Sequence, residues 1–504
     1  MGERSFVGHA RTIGLFTLLS RFLGLFRDIL CSHYFGAGIL WDAFTIAWRI
    51  PNLFRRLFGE GALTAAFVPA FVQRWDSGRE EDARELFNRI ITRLAILLAG
   101  IVIAGIVITF LLPLFADDQK TILFSRLLRI MLPYLFLVCI AAIISATLQS
   151  LNHFSTPALT PVVLNIVFIT AVFLSAGKNI DLIAIGILVG GIFQVAILLP
   201  PLLKRNIRYR PDLRGGEGVR EVGHSFVPVI FGLALVQVNE IMDSVIAELF
   251  VPGHGAVSSL FYGGQVNNLP LSLIGSSIAT AVFPALSSLK SNKKDLLGKA
   301  LRGVFYLAIP STVGLLLFSH EIIALVFEHG AFEATERTAR NLQLYALGMC
   351  FYCANTVQVR AFYAVKDMVT PVRVSAAMVV LNLSLNMTLV WPFQEAGIAA
   401  ATALSGMASF LTLRYILRKK LPEMAELKVS KTVVLSGIAS LIMGGIAWGL
   451  HRWLFVPLFP GNNTGSEMGR LLFPIGIAVV VYFTTTRFLG MEESKVLFSR
   501  IRKN

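Results

Sequence analysis

Two stretches near the start of the chain carry arginines and carboxylates at spacings suited to capturing an anion. Ser20-Arg21-Phe-Leu-Gly24-Leu-Phe-Arg27-Asp28 sets Arg21 and Asp28 seven residues apart, on one face of a helix, with the small Gly24 between them. Arg27 lies beside that face. Further on, Asp42, Thr45, Arg49, Asn52, Arg56 and Glu60 recur at steps of three, four or seven and form one polar stripe, with Arg55 next to it and Pro51 expected to bend the helix. A guanidinium keeps its charge, and its planar fork of donors matches the oxygens of phosphate. If Asp28 paired with Arg21 and Glu60 with Arg56 merely to hold helices together, five arginines against three carboxylates would still leave two positive charges over. The pattern suits a multiply charged anion that is bound rather than chemically changed.

A second group has a different character. Asp243, the amides Asn382 and Asn386 four residues apart, and Thr402 offer a carboxylate, two carbonyl-type oxygens and a hydroxyl. Such oxygens suit a hard monovalent cation, so sodium or protons are the candidate coupling ions and no other cofactor is expected. The plainer alternative is that the asparagines hydrogen-bond neighbouring helices. Catalytic signals are weak: the eight histidines lie mostly near loops and span ends, with no Ser/His/Asp grouping, and no GxxxxGK[ST] phosphate loop occurs. Cys350 and Cys353 form a CxxC, read here as small buried hydrophobes on an apolar helix. An enzyme is not expected.

These residues have to be positioned inside a membrane. The 504-residue chain is 55% hydrophobic and 15% charged, against about 25% charged in soluble domains, and its mean hydropathy is +0.70. Runs of roughly 20 apolar residues, enough to cross about 30 Å of hydrocarbon, recur along nearly the whole length. The expectation is an all-α integral membrane protein of about 14 spans, the first near 9–35, the second near 40–74, and the last two near 430–450 and 470–489. Arg21 and Arg27 interrupt the first apolar run, so no cleavable signal peptide is expected.

The net charge of +15 does not point to nucleic acid, because the basic residues sit in short clusters between spans. Arg74 to Arg89, Lys204 to Arg220, Lys290 to Lys299 and Arg418 to Lys431 fall on one side, whereas the turns at 36–41, Asp117-Asp118, 177–181, 251–255 and 391–397 are poor in Lys and Arg. The positive-inside rule then places both termini in the cytoplasm, which requires an even number of spans.

An internal repeat supports this map. Residues about 215 apart match in kind: Asp28 with Asp243, Thr64-Ala65 with Thr280-Ala281, Thr156-Pro157 with Thr370-Pro371, Ile183-Ala184 with Ile398-Ala399, and Gly191 with Gly406. The implied division is 1–215, 216–425 and an added pair of helices in 426–504. Because the offset covers six spans, the two halves should share one orientation.

Several segments resemble the MurJ (MviN) family of lipid II flippases. They are Ser20 to Asp28, Asp42-Ala-Phe, Pro51-Asn-Leu-Phe-Arg55-Arg56, Gly59-Glu60-Gly61-Ala-Leu-Thr-Ala-Ala-Phe-Val-Pro69, Leu151-Asn-His-Phe-Ser-Thr-Pro157, Phe327-Glu-His-Gly-Ala-Phe332 and Phe362-Tyr363 with Asp367 and Thr370-Pro371. The resemblance implies a MOP-superfamily fold, two six-helix lobes about a cavity plus two helices forming a groove for a lipid tail. It implies a bacterial inner-membrane protein of peptidoglycan and cell-wall biogenesis that carries lipid II, the undecaprenyl-diphosphate-linked disaccharide-pentapeptide, to the outer leaflet. Membrane lipids and the cell-wall synthesis machinery are the implied partners. The family's cavity arginines match Arg21, Arg27 and Arg55, and its cavity aspartate matches Asp42. Where family members usually carry an arginine two residues after a Tyr-Ala pair, this chain reads Tyr262-Gly263-Gly264-Gln265, so Gln265 stands at an expected phosphate contact. The rival readings are a flippase for another polyprenyl-linked saccharide, a cationic-drug antiporter of the same superfamily, and a membrane glycosyltransferase or ligase acting on the same carrier. The drug antiporter fits poorly with a positive cavity, and the enzyme fits poorly with short external loops.

Overall fold

The computed structural model describes residues 3–59, 62–115, 118–287, 293–365, 367–420, 429–461 and 463–494, and all its regular elements are helical. Glu60 and Asp117 lie outside the described residues. The chain divides into two compact units, Met1–Ser244 with Gly330–Phe332, and Val245–His329 with Glu333–Asn504.

The first unit contains α1 (Glu3–Phe35), α2 (Ile39–Phe54), a π turn (Arg55–Gly59), α3 (Ala62–Asp76), α4 (Glu80–Phe115), α5 (Gln119–Ser150), α6 (Ser155–Ser175), α7 (Asp181–Lys204) and most of α8 (Glu217–Phe250). The second contains α9 (Ala256–Leu271), a π turn (Ser272–Ser276), α10 (Ser277–Ser287), α11 (Lys293–Phe327), α12 (Thr335–Ala364), α13 (Val369–Phe393), α14 (Glu395–Lys420), α15 (Ser430–Leu450), the short α16 (Val456–Leu458) and α17 (Thr464–Phe488). Among the described residues, ten helical stretches are long and apolar enough to cross a membrane. Among the described residues, the other helices of 30 residues or more are α1, α8 and α12. In lipid a helix satisfies all its backbone polar groups internally, which is why length and apolar content dictate this architecture.

The sequence repeat is visible as repeated packing. In the first unit α2 packs on α5, α4 on α5, α5 on α7 and α6 on α7; in the second, α9 packs on α12, α11 on α12, α12 on α14 and α13 on α14. The second span of each sequence half is interrupted by a π turn soon after a proline, Pro51 in one and Pro270 in the other, because proline withdraws a donor from the helical ladder. The bend read from Pro51 is thus a local widening of the helix.

Helix contact in lipid depends on small residues that let neighbours approach closely. A Cβ built on Gly191 of α7 would stand 2.6 Å from the Tyr134 ring, and one on Gly406 of α14 would stand 2.4 Å from the Tyr352 ring. These are the two glycines that the repeat pairs.

The turn that leads into the helix after each of these tyrosines is also repeated. His153 and Val365 to Asp367 close by the same backbone bonds, His153 N to Leu148 O (2.9 Å) and Asp367 N to Phe362 O (3.0 Å). In each turn the side chain accepts or shares a bond with a threonine three residues on, His153 Nε2 with Thr156 Oγ1 and Asp367 Oδ2 with Thr370 Oγ1, both at 2.7 Å.

The compact division falls at Ser244, and α8 is tied back to earlier helices by Arg74–Glu221 and Arg56–Glu240. The C-terminal helices join the second unit through an apolar cluster of Tyr306 and Phe318 from α11, Met443 from α15, and Leu471 and Tyr482 from α17. Two bonds pin the cluster, Tyr482 Oη to Tyr306 O at 2.6 Å and Tyr306 Oη with Thr486 Oγ1 at 2.9 Å.

Two outcomes are expected. Gly191→Ala and Gly406→Ala should each cost about 1–3 kcal/mol through overpacking, whereas Gly100→Ala, which meets nothing within 4 Å, should be neutral or mildly stabilising; thermal unfolding of the detergent-solubilised protein measures the difference. Asp367 gives a pH signature. Burial alone would raise its carboxyl, but hydrogen bonds from Lys420 and Thr370 outweigh it and bring the value down to about 2 from 3.8. Its stabilisation is therefore complete above about pH 4 and lost as pH falls towards 2. Asp367→Asn should flatten the stability profile in that window.

Candidate functional site

The first unit gathers most of the charged residues singled out above. On α1 the Arg27 guanidinium chelates its neighbour, Nη2 and Nε standing 2.7 and 3.0 Å from Asp28 Oδ1, and Nη1 donates to Asn165 Oδ1 on α6 at 3.1 Å. The guanidinium also lies 5.0 Å from the centre of the Phe168 ring. Asn165 in turn donates to the carbonyl and hydroxyl of Ser20 at 3.1 and 3.3 Å. A Cβ on Gly24 would already be 3.9 Å from that amide, so the glycine leaves room for it. Asp28 pairs with Arg27, its neighbour in sequence, whose guanidinium folds back along its own turn to reach it. Arg21 is exposed on the same helix.

On α2, Gly38 holds an extended conformation ahead of the helix, and its carbonyl accepts from Asp42 N at 2.9 Å. Asp42 thus falls in the first turn, where the helix dipole favours a carboxylate. It is only 1% exposed, between the buried Trp41 and Ala43, and its carboxylate meets Lys120 Nζ at 3.6 Å. A buried charge needs such a partner. The adjacent Thr45 is buried, and its hydroxyl has no hydrogen-bond partner among the described residues.

The end of the stripe turns towards α8. Arg56 Nη1 lies 2.9 Å from both oxygens of Glu240 and 3.1 Å from Gln237 Oε1, and Arg49 donates to the Glu240 carbonyl. Arg56 thus pairs with Glu240, while the Glu60 partner read from the helical spacing lies outside the described residues. Arg55 differs from its neighbour: Nε donates to the neutral amide oxygen of Asn52 at 2.9 Å. The stripe Asn52–Arg55–Arg56 therefore splits at the π turn, where the changed helical phase sends adjacent arginines to different partners.

Asn165, Lys120, Gln237 and Glu240 were not nominated from the sequence. A lone asparagine in the run Val162-Val-Leu-Asn165-Ile-Val-Phe168 was a usable signal, since an amide in lipid demands a partner.

The other nominated residues separate. Asp243 lies on α8 in the first unit, while Gln265 on α9, Asn382 and Asn386 on α13 and Thr402 on α14 lie in the second. Asn382 and Asn386 are both buried and meet directly, Asn386 Nδ2 donating to Asn382 Oδ1 at 3.0 Å. Thr402 donates to its own helix at Ile398 O, 3.1 Å away. Gln265 is half-buried; before it, Tyr262 is fully buried with its ring 4.7 Å from that of Phe327, and Gly263 lets α9 close against Thr338 on α12. The two cysteines of the CxxC face different neighbours, Cys350 with Thr312 Oγ1 at 3.1 Å and Cys353 with Leu271 O at 3.9 Å. Each thiol is a buried packing group of α12.

Comparison with known proteins agrees with this arrangement. Residues 31–461 match the family model described as Lipid II flippase MurJ. A probable lipid II flippase MurJ of Buchnera aphidicola subsp. Acyrthosiphon pisum (strain APS) is 31% identical over 504 residues, covering 95% of this chain and 97% of its own. A solved lipid II flippase MurJ in an inward closed conformation superposes with a TM-score of 0.82 at 28% identity, covering 95% of this chain and 98% of that one. An inward-facing multidrug resistance MATE family transporter of the MOP superfamily shares the fold, with a TM-score of 0.70 at 13% identity over 80% of this chain and 95% of its own. An all-helical, multi-span membrane chain with charged side chains held on α1 and α2, matched over nearly its full length, belongs to the Lipid II flippase MurJ family.

Proposed function

We propose that this chain carries lipid II across the bacterial inner membrane, from the cytoplasmic to the outer leaflet, by alternating access. The supporting observation is the arginine set on α1 and α2. Asp28 and Glu240 hold Arg27 and Arg56, and the Asn52 amide orients Arg55. Arg21 is exposed on the same helix as Arg27. Oriented guanidinium groups of this kind recognise the oxygens of a diphosphate.

In this reading Arg21, Arg27 and Arg55 hold the diphosphate, Asp42 and Arg49 contribute to the headgroup site, and Gln265 is a neutral contact. The lipid tail stays in the bilayer along α15 and α17, both termini are cytoplasmic, and the cell-wall synthesis machinery receives the product. Carrying about two negative charges outward down a 100 mV inside-negative potential releases roughly 4–5 kcal/mol, enough to drive the step without nucleotide hydrolysis. Sodium is the candidate coupling cation, with Asp243 the carboxylate proposed to answer to it.

Arg27→Ala and Arg55→Ala are each expected to abolish rescue of a flippase-depleted strain at near-normal protein level. Growth at the wild-type rate would refute the arginine reading. In vesicles, Asp243→Asn should remove any dependence of lipid II flipping on sodium, and an unchanged ion response would eliminate the cation reading.

A further inference from the structure

The repeated turns diverge at one chemically important point. In the second unit Asp367 accepts from Thr370 and also from Lys420 Nζ at 2.8 Å, which closes the α12–α13 turn on the end of α14. The residue in the position of Lys420, about 215 earlier, is Arg205 at the end of α7, and the residue in the position of Asp367 is His153. The cation is kept in the first unit, but its carboxylate is not. Arg205 donates to the Leu151 carbonyl, a neutral acceptor. Burial first, and then the Arg205 charge, hold the His153 imidazole below its ordinary value, so it stays neutral at neutral pH.

Where the second unit has an ion pair, the first has an opening. A cavity of about 390 Å³ is lined by Arg205 and Asn206, by Ser150 to Asn152, and by Trp75, Asp76, Glu80 and Arg84. That volume lies within the range of small-ligand sites. Arg84 is committed to Glu80 and Glu81, at 2.6 and 3.1 Å. Asp76 makes no hydrogen bond or ion pair among the described residues, so the cavity presents one cation without a carboxylate and one carboxylate without a cation.

Its depth is set by the short helices that end there. α6 and α7, of 21 and 24 residues, are about 32 and 36 Å long at 1.5 Å per residue, close to the thickness of the hydrocarbon layer. Leu199 and Leu203, 41% and 51% exposed, lie on the last turns of α7 before Arg205, and Trp75 is of the residue type that favours the membrane interface.

From these observations we infer that this cavity is a binding site for a phosphoethanolamine headgroup, its phosphate on Arg205 in the place of the missing carboxylate and its ammonium on Asp76. The source is a phospholipid of the leaflet on the arginine-rich side of the membrane. Such a lipid would cement the ends of α3, α5 and α7 as Asp367 cements α12, α13 and α14. This site is separate from the arginines of α1 and α2 and does not depend on their role.

The test uses the full-length protein, delipidated in detergent and titrated with dioleoyl-phosphatidylethanolamine or dioleoyl-phosphatidylglycerol under native mass spectrometry. Wild type should retain the ethanolamine lipid preferentially. Asp76→Asn should weaken that lipid alone by about threefold to fivefold, the range of an exposed charge pair, and so level the two. His153→Asp supplies the absent carboxylate and should weaken both lipids by a similar factor, whereas His153→Asn should leave both unchanged. Displacement of the lipid by equimolar free O-phosphoethanolamine would uphold the site and assign it a soluble ligand. Equal retention of the two lipids by wild type, or wild-type retention by both Asp76→Asn and His153→Asp, overturns the inference.

Discussion

A charged side chain inside a lipid bilayer has no water to solvate it, so every other feature of the first unit is arranged around satisfying arginine. On insertion scales one such residue costs at least about 2.5–3.5 kcal/mol at mid-bilayer. The chelate of Arg27 by Asp28 meets that cost locally, and Asn165 completes it from α6. Because Asn165 also ties Ser20, the same three groups fix α1 against α6 and set the direction in which the guanidinium fork points. Holding a cation and aiming it are here one task.

The π turn after α2 applies the same logic to consecutive residues. Arg55 and Arg56 are consecutive in this turn, yet they meet different partners. The wider turn sends Arg56 to Glu240 and leaves Arg55 against an amide. One arginine ties the turn to α8, and its neighbour is oriented by a neutral amide. A corresponding π turn in the second unit lies in a segment without arginine, so the backbone feature belongs to the repeat and the charge to the first half alone.

That asymmetry recurs at the basic ends of the helices. The repeat preserved glycines facing tyrosines and the backbone bonds of the turns, which are matters of shape. It did not preserve electrostatics: Asp367 and Lys420 form a closed pair, whereas His153 and Arg205 leave a cavity. Duplicated folds tolerate this because packing constrains volume at each position, while a surface charge can be satisfied by protein, water or lipid.

Apolar runs, basic connections and the repeat are all legible in the chain, since lipid forces hydrophobic length and backbone self-satisfaction onto sequence directly. The candidate residues on α1 and α2 were legible for the same reason, a charge in an apolar run being costly wherever it points. Which carboxylate each arginine meets was not legible. Helical spacing looks only along one helix, but long side chains reach between helices, and Asn165 and Glu240 lie 138 and 184 residues from the arginines they meet. The cavity beside Arg205 was equally hidden, because it exists only where the ends of helices distant in sequence converge. Sequence by itself determined what must be buried in lipid and what must be compensated there; tertiary structure decided the partners, because compensation acts through a few ångströms of space and not through spacing along the chain.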